Sequence, residues 1–575
     1  MIEGQYDAKK VENKIYKLQE DSGFFNPDNL PKTYKKPFTI IMPPANANGN
    51  LHAGHALVMT IEDIMTRYKR MKGFKALWLP GFDHAGFETQ VVYEKKLEKE
   101  GRSRFGMEPE QLYKEILQFT AENKTNIKSQ IKKMGSSCDW SREKFTLDED
   151  IVKEVQNTFK KMYDDGLIYR GERIVNWCSK HQTSLSDVET DKKERKDAFY
   201  YFQYGPFTIG TARPETKFGD KYVVMHPKDE RYKEYKDGQQ IELEWINGKI
   251  TATIIKDEAI DMEFGTGVMT ITPWHDAIDF DIAQRHNLDK EQIIDQRGKL
   301  LPIAGEFAGM KITEARPKIV EKLKEKGLLV KIDENYIHNV PVCYKCETLI
   351  EPQILPQWFV KMKPLTKKAA DAVKAKKIKI IPDNFRKIFL YWMENTIDWN
   401  ISRQIVWGIP IPAKICDNCK DGFPDLENKI NICPTCKGSV RKDTDTFDTW
   451  FSSGQWPLVA LDYPNSKDFK TFYPTDVMES GSDLIFKWIP RMVIFGLYLA
   501  KKVPFNTVYL HGLVNDAKGQ KMSKSKGNVI NPLDISDKYG TDALRIGLVM
   551  GNTPGQDLAL DENKIKGHRN FANKI

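Results

Sequence analysis

The sequence predicts an α/β protein with a parallel-sheet core, split by an inserted and mostly β domain and carrying small cysteine knuckles. Three observations support this. The apolar run Phe38-Thr39-Ile40-Ile41-Met42 passes through a loop broken by Pro43, Pro44 and Gly49 into an amphipathic segment from Ala53 to Met71, then into a second run, Ala76-Leu77-Trp78-Leu79. Strand, loop, helix and strand in that order form a βαβ unit, whose right-handed crossover implies parallel strands. From about 195 to 340 short β-like runs punctuated by glycine and proline take over, and after about 445 the α/β alternation returns.

Taken in order, residues 1 to about 35 read as a helix with a short tail ending at Pro31. The loops after the first two strands, at 43–50 and at Pro80-Gly81-Phe82-Asp83, lie beyond carboxyl ends of strands, where open α/β sheets bind ligands. In the middle, Phe207-Thr208-Ile209-Gly210, Tyr222-Val223-Val224-Met225, Ile250 to Ile255 and Gly267 to Thr272 are the expected strands. A helix from Leu484 to Ala500 and a strand from Thr507 to Leu510 follow, and residues 566–575 read as a helix cut off partway. The lysine-rich stretches Lys95 to Lys99 and Lys367 to Lys379 read as solvated helix faces.

At 575 residues the chain needs several cores. No apolar run reaches the roughly 18 residues of a membrane span, and the charged start lacks the apolar stretch of a secretory signal. A cytoplasmic monomer with no membrane partner is the expectation. The net charge of +8 permits contact with a polyanion without demanding it. In a reducing compartment clustered cysteines argue for metal rather than disulfides. Cys416-x-x-Cys419 and Cys433-x-x-Cys436, separated by 13 residues, have the spacing of a closed tetrahedral zinc site. Cys343-x-x-Cys346 finds a second turn in Cys178-Ser179-Lys180-His181, with histidine in the last place. Cys138 is left over and reads as a small buried residue.

Two motifs carry chemistry. In His52-Ala53-Gly54-His55 two histidines share one face of a helix start, beside backbone N–H groups that favour an anion. In Lys521-Met522-Ser523-Lys524-Ser525 two lysines on a small loop suit a departing pyrophosphate. HxGH after the first strand together with KMSKS late in the chain resembles the paired signatures of class I aminoacyl-tRNA synthetases, and the resemblance covers nearly the whole chain. Pro80-Gly81-Phe82-Asp83-His84-Ala85-Gly86, with Thr89-Gln90, is similar to PGxDHAGxxTQ of that family's valine branch. Ile401-Ser402-Arg403-Gln404 with Trp407-Gly408, Asp448-Thr449-Trp450-Phe451-Ser452-Ser453 and His511-Gly512-Leu513-Val514 match in the same order.

The resemblance implies a Rossmann-like catalytic core that activates L-valine with ATP and Mg2+ to valyl-adenylate, then transfers it to tRNA(Val). It places His52, His55, Lys521 and Lys524 in catalysis. It adds Gly54, Gly481, Asp483 and His511 to the ATP site, and Pro44, Asn46, Asp83, Trp456 and Trp488 to the amino-acid site, with Asp83 holding the amino group. Ala45, Ala47 and Asn48 stand where the family usually has Pro, Val and Thr.

It also makes the inserted domain an editing site for threonyl-tRNA(Val), because an apolar pocket rejects a hydroxylated isostere poorly. Thr211-Ala212-Arg213-Pro214-Glu215-Thr216 resembles TTRPET, and Arg213, Thr216, Thr272, Asp276 and Asp279 are the implied editing residues. Ala212 replaces a threonine, and Thr270 stands where the valine branch usually carries lysine. Two structural Zn2+ sites are implied: Cys178, His181, Cys343 and Cys346 at the root of the insertion, and Cys416, Cys419, Cys433 and Cys436 beyond it.

The expected organisation runs 1–177 (N-terminal helix and first half of the catalytic core), 178–346 (zinc-clamped editing domain), 347–445 (connection with the second knuckle), 446–530 (second half of the core with the KMSKS loop) and 531–575. The last segment is expected to open a helical stem-contact region, with anticodon-binding and coiled-coil parts lying beyond the chain. Two other readings are a tRNA-binding or editing-only paralogue and an isoleucine enzyme. Retention of both histidines and both lysines argues against the first.

Overall fold

The computed structural model describes residues 6–522, 528 and 530–575, and divides into two compact units. One comprises residues 1–169 and 359–575, the other 170–358. The second extends further on both sides than the 178–346 span.

A five-stranded sheet centres the first unit: β1 (Pro37–Ile41), β2 (Lys75–Leu79), β3 (Lys379–Ile381), β4 (Thr475–Gly481) and β5 (Phe505–His511), in the spatial order β3-β5-β4-β1-β2. Every neighbouring pair is parallel. In β1 and β2 four consecutive residues are buried, which explains their unbroken apolar runs: both faces are covered. From β1 the chain winds outward one way to β2, and from β4 the other way to β5. The winding reverses between β1 and β4, where the loops leave a crevice beyond the carboxyl ends.

The Ala53–Met71 helix has the bounds expected from its periodicity. It is anchored by the buried Asp63, which accepts bonds from Arg67, Arg545 and the Ser137 hydroxyl. Although burial opposes its charge, Arg545 and Arg67 hold the Asp63 carboxyl below its usual range. Helices Pro532–Tyr539, Thr541–Val549 and Glu562–Ala572 close over this helix, Leu544, Leu548 and Ile565 packing on Ala53, Ala56 and Leu57.

Three expectations need correction. The first helix is Ala8–Asp21 and stops well before residue 35, ahead of Gly23 at φ 73°. The expected Leu484–Ala500 helix is a 3-10 turn at Ser482–Leu484, an α-helix only from Ile489 to Phe495 and a π turn at Gly496–Ala500. Pro490 fixes that start, since proline fits the first turn and breaks an interior. The Lys367–Lys379 stretch is only partly helical: the helix is Lys363–Lys374, and Lys379 begins edge strand β3.

In the second unit Thr190–Tyr204 lies between Leu329–Cys343 and Phe207–Thr211 in an antiparallel three-stranded sheet. Tyr222–Met225, Gln240–Trp245, Gly248–Lys256 and Val268–Thr270 form a four-stranded mixed sheet. Phe202, Tyr204, Phe207, Val223 and Trp245 join the two in one core. The long arms escaped sequence reading because residues 191–196 are exposed, so no apolar alternation marks them. Among the described residues no helix is long and apolar enough to cross a membrane.

Candidate functional site

The crevice between β1 and β4 collects most of the first motif residues. His52 caps the Ala53–Met71 helix: its Nδ1 accepts the Gly54 N–H at 3.1 Å, and the His52 N–H donates to His55 Nδ1 at 3.2 Å. With both Nδ1 atoms accepting, each neutral ring carries its proton on Nε2, a donor pointing away from the helix end. The rings lie 3.9 Å apart, and a Cβ on Gly54 would stand 3.0 Å from His52 Nδ1. Glycine is therefore required here by the imidazole itself. Burial, then the charges of His52 and His511, hold His55 well below its ordinary pKa. It works as a neutral donor.

Across the crevice Gly481 ends β4 opposite His511 at the end of β5. A Cβ at Gly481 would come within 2.7 Å of Asp483 Oδ1, so these two and His511 share one small space. His511 Nδ1 contacts Glu479 Oε1 at 2.5 Å. Burial works against a charged His511, but Glu479 and Asp483 outweigh it and raise its pKa. Behind them Glu62, fully buried, accepts the Trp78 indole N–H at 2.6 Å. Burial and then the charge of Glu479 push its carboxyl well above the usual range.

The second motif meets the first through packing. Met522 lies against the cluster that contains Ala53, Ala56 and Leu57 of the capped helix, and Lys521 is exposed beside it. Ser523, Lys524 and Ser525 lie outside the described residues. Gly512, leading into this loop, could carry no side chain, because a Cβ would stand 2.0 Å from the Gln556 carbonyl oxygen.

A second cluster surrounds Asp83, in the short strand Gly81–Asp83 beside Ala45–Asn46. The Asp83 carboxylate is buried and accepts bonds from the Ala85 N–H (3.0 Å), the Thr146 hydroxyl (3.0 Å) and the Thr449 hydroxyl (3.2 Å). Asn46 donates to Glu88 at 2.7 Å. Trp456, wholly buried, donates its indole N–H to the Met42 carbonyl, and its ring lies so close over Gly81 that a Cβ there would stand 2.1 Å from it. Trp488 is anchored on the Ser453 carbonyl at 2.9 Å. Pro44 is partly buried in the loop after β1.

The second unit has its own pocket, about 410 Å3, lined by Arg213, Thr216, Lys217, Thr272, Asp276 and Asp279 among others. Asp276 caps the Ala277–Arg285 helix, accepting the Ile278 and Asp279 N–H groups. Asp279 accepts the Thr272 N–H at 2.7 Å on one oxygen; its other oxygen is buried without a hydrogen-bond partner among the described residues. Burial, then repulsion from Asp276, lifts Asp279 to about 7. Arg213 is committed to ion pairs with Glu351 (2.6 Å) and Glu215 (3.2 Å), and Thr216 donates to the Arg213 carbonyl.

Four tight turns carry the metal-ligating candidates. In the first unit the sulfurs of Cys416, Cys419, Cys433 and Cys436 lie within 4.8 Å of one another, with Cys416 to Cys436 at 3.4 Å and Cys419 to Cys433 at 3.7 Å. In the second, Cys178, Cys343 and Cys346 do the same, with Cys178 to Cys346 at 3.6 Å. Each turn is followed by a left-handed residue: Lys420 (φ 60°), Lys437 (φ 61°), Glu347 (φ 59°) and Gln182 (φ 46°). His181 thus occupies the last place of a turn shaped like the other three, but the ligand atoms that lie within 4.8 Å of one another here are the three thiols, without its imidazole. Tetrahedral zinc with Zn–S near 2.3 Å sets sulfurs about 3.8 Å apart, so both clusters fit that ion. Cys138 is buried, as expected of a packing residue.

The family described as tRNA synthetases class I (I, L, M and V) matches residues 14–561. The chain belongs to this family. It is 45% identical over 580 residues to the valine--tRNA ligase of Carboxydothermus hydrogenoformans, and 46% identical over 578 residues to that of Clostridium acetobutylicum. In each case the match covers 99% of this chain and 65% of the relative, so the chain spans about two thirds of their length. Among solved structures, an Agrobacterium radiobacter LeuRS-tRNA-LeuAMS ternary complex aligns with a TM-score of 0.56 at 19% identity, covering 99% of this chain and 75% of that one. Mycobacterium tuberculosis methionyl-tRNA synthetase bound by methionyl-adenylate aligns at 0.53 and 14%, covering 93% and 68%. These two establish the class I fold.

Within this class I framework, sequence reading missed Glu479, Glu62, Thr146, Thr449 and Lys217. Glu479 sits two residues before Gly481, so its place was visible though its partner was not. Thr146 and Thr449 reach Asp83 from 63 and 366 residues away. No local spacing announces such contacts.

Proposed function

We propose that this chain activates L-valine with ATP and Mg2+ to valyl-adenylate, transfers the valyl group to tRNA(Val), and hydrolyses threonyl-tRNA(Val) in the pocket of its second unit. The observation that carries the first part is the hydrophobic joint between the His52–His55 helix and Met522. It brings the base of the lysine loop to the histidine motif at the sheet's switch point.

There the valine carboxylate attacks the α-phosphate of ATP, and the bond to pyrophosphate breaks. Nε2–H groups of His52 and His55 donate to phosphate oxygens as charge builds on them, while Lys521 and Lys524 neutralise the leaving pyrophosphate. Gly54 keeps the histidines close-packed. Gly481, Asp483 and His511 take the nucleoside end, Asp483 offering its carboxylate to ribose hydroxyls. Asp83 holds the substrate ammonium in a charge-assisted contact. Trp456 and Pro44 bound a small apolar pocket, with Trp488 behind Ser453 and Asn46 beside Asp83. The 45% identity to valine--tRNA ligases supports valine as the substrate.

In the second unit Asp276 and Asp279 receive the ammonium and hydroxyl of threonine, with Thr272 fixing Asp279. Arg213 and Thr216 shape the rim. Valine lacks the hydroxyl and would leave buried groups unpaired, which is how such a pocket spares it. Both cysteine clusters hold structural Zn2+, one through four thiolates and the other through three thiolates and the His181 imidazole. With four protein ligands each, neither offers an open coordination position.

ATP–pyrophosphate exchange with valine, isoleucine and threonine side by side tests the main reading. Valine is expected to give the highest kcat/KM, with threonine a weaker substrate. Preference for isoleucine would reassign the amino acid, and no amino-acid-dependent exchange would leave only a binding or editing role.

A further inference from the structure

We propose that Lys217 is a positioning residue of the second unit's pocket, its ammonium keeping the acidic wall at Asp279 ready for a substrate's ammonium group. The proposal rests on reading that pocket as an aminoacyl site. Lys217 lies in the turn Pro214–Gly219, and its side chain is buried rather than solvated, which is rare for lysine unless paired. Its Nζ lies 3.1 Å from the Thr270 hydroxyl, 3.3 Å from the Thr270 carbonyl and 3.4 Å from Asp220 Oδ1. These are long contacts for an ammonium, made from one wall of the pocket that Asp279 also lines. The turn is pinned from behind, the Trp245 indole donating to the Lys217 carbonyl at 2.8 Å. Position 270 itself supplies only a hydroxyl and a carbonyl. The pocket's buried lysine comes from the neighbouring turn.

Four groups bear on the charge of Asp279. Asp276, capping the same helix, and Asp220, beside the Lys217 turn, disfavour its charge; the Thr272 N–H and Lys217 favour it. Lys217 is the largest favourable charge among them. Asp220 is itself lifted to about 6, by burial against the pull of Lys217. One ammonium thus serves two buried carboxyls, and the unpartnered Asp279 oxygen is left for an incoming cation. Remove the ammonium, and Asp279 takes up a proton at higher pH and ceases to attract that cation.

The test uses the 575-residue chain and a threonyl group amide-linked to 2′-amino-2′-deoxyadenosine, which imitates a charged tRNA end without an ester to hydrolyse. Its affinity is measured by calorimetry from pH 6 to 9 for the unaltered chain, K217M, K217Q and K217R, with thermal melts confirming that each is folded. The ratio of variant to unaltered affinity cancels titration of the ligand's own amine. K217M and K217Q are expected to bind about fivefold more weakly at pH 7, the gap closing to within about twofold at pH 9, because one pK unit is tenfold in the charged fraction at limiting pH. K217R is expected to restore most of the affinity. A ratio independent of pH, or no rescue by arginine, overturns the role of Lys217 while leaving the pocket reading intact. No binding by the unaltered chain at any pH overturns both.

Discussion

In the parallel-sheet crevice the groups facing the ligand include imidazole N–H donors and strand ends, whereas in the β-unit pocket they are the buried carboxyl of Asp279 and the exposed one of Asp276, with the Lys217 ammonium on the same wall. The first arrangement suits a ligand that brings its own negative charge. A neutral His55 donor, fixed by its own helix cap, needs no compensating charge before the ligand binds and no reorganisation when a phosphate arrives. The second suits a ligand that brings a cation, and Asp279 sits near neutrality because burial and repulsion from Asp276 penalise its charged form. The contrast teaches that the two sites should answer differently to pH. The crevice should be insensitive to His55 titration through the physiological range, the pocket steeply dependent on Asp279.

The largest effect falls on the amino-acid end of the crevice. Asp83→Ala removes a buried carboxylate that three donors already orient. Valine-dependent exchange should drop by roughly a thousandfold in kcat/KM, the usual scale for stranding a buried charge. Binding of the threonyl probe by the second unit should stay within about twofold, since no acid of that pocket has changed. Parallel loss of both functions would break the comparison.

Next comes His55→Ala, expected to lower exchange kcat by about a hundredfold, the typical loss for one positioned donor to a developing anion. The sign of the pH dependence sharpens this. His55 is held well below its ordinary pKa by burial, so it should impose no inflection near neutral pH. An activity that falls between pH 6 and 7.5 in the unaltered chain, and loses that fall in the variant, would mean that the cation and not the neutral ring does the work.

Much of the crevice was legible because its residues come in short local patterns. The His52-to-His55 spacing is a helix turn, the Pro80–Asp83 run is a strand end, and the helix 53–71 announced its bounds by periodicity and by what precedes it. The pocket was less legible. Asp276 and Asp279 share a helix start and could be read together, but Lys217 acts through space on a residue 62 positions later, and a lone lysine after Thr216 carries no local signal. Long strand arms were hidden by their solvent-facing lysines. Pro490, visible from the start, should have moved the onset of its helix, and the longer apolar run that spans it was the misleading cue.

Scaffold lesions test whether the comparison concerns chemistry alone. Cys433→Ser should cost one zinc equivalent, measured by elemental analysis, and lower the first unit's melting temperature by roughly 5 °C or more, since a structural site's metal affinity is folding free energy. His181→Cys should keep two zincs per chain and melt within about 2 °C of the unaltered protein, because both side chains are zinc ligands of similar reach. If His181→Ala also keeps the full zinc content, the fourth ligand is not His181.

The smallest effect concerns stability and comes from the acid that the pocket holds out of its comfort. Asp279 titrates near 7 in the folded chain because burial and Asp276 disfavour its charge, whereas an unfolded aspartate titrates near 4. A raised carboxyl favours the fold only while protonated, so its contribution is full below pH 4, fades as pH rises, and is gone above 7. Asp279→Asn removes that dependence. Its amide oxygen can still accept the Thr272 N–H, and no charge needs burying. The variant's melting temperature, relative to the unaltered chain, should therefore climb between pH 4 and 7, ending about 3 °C higher, a small fraction of the electrostatic cost because Lys217 loses its distant partner. Threonyl-probe binding should fall at least tenfold in the same variant, as expected for losing a charge-assisted contact. A variant more stable but unable to bind identifies Asp279 as a residue kept for its ligand; one whose relative stability declines as pH rises would show that the carboxylate is welcome in the fold, and the pocket's logic would have to be rebuilt around another group.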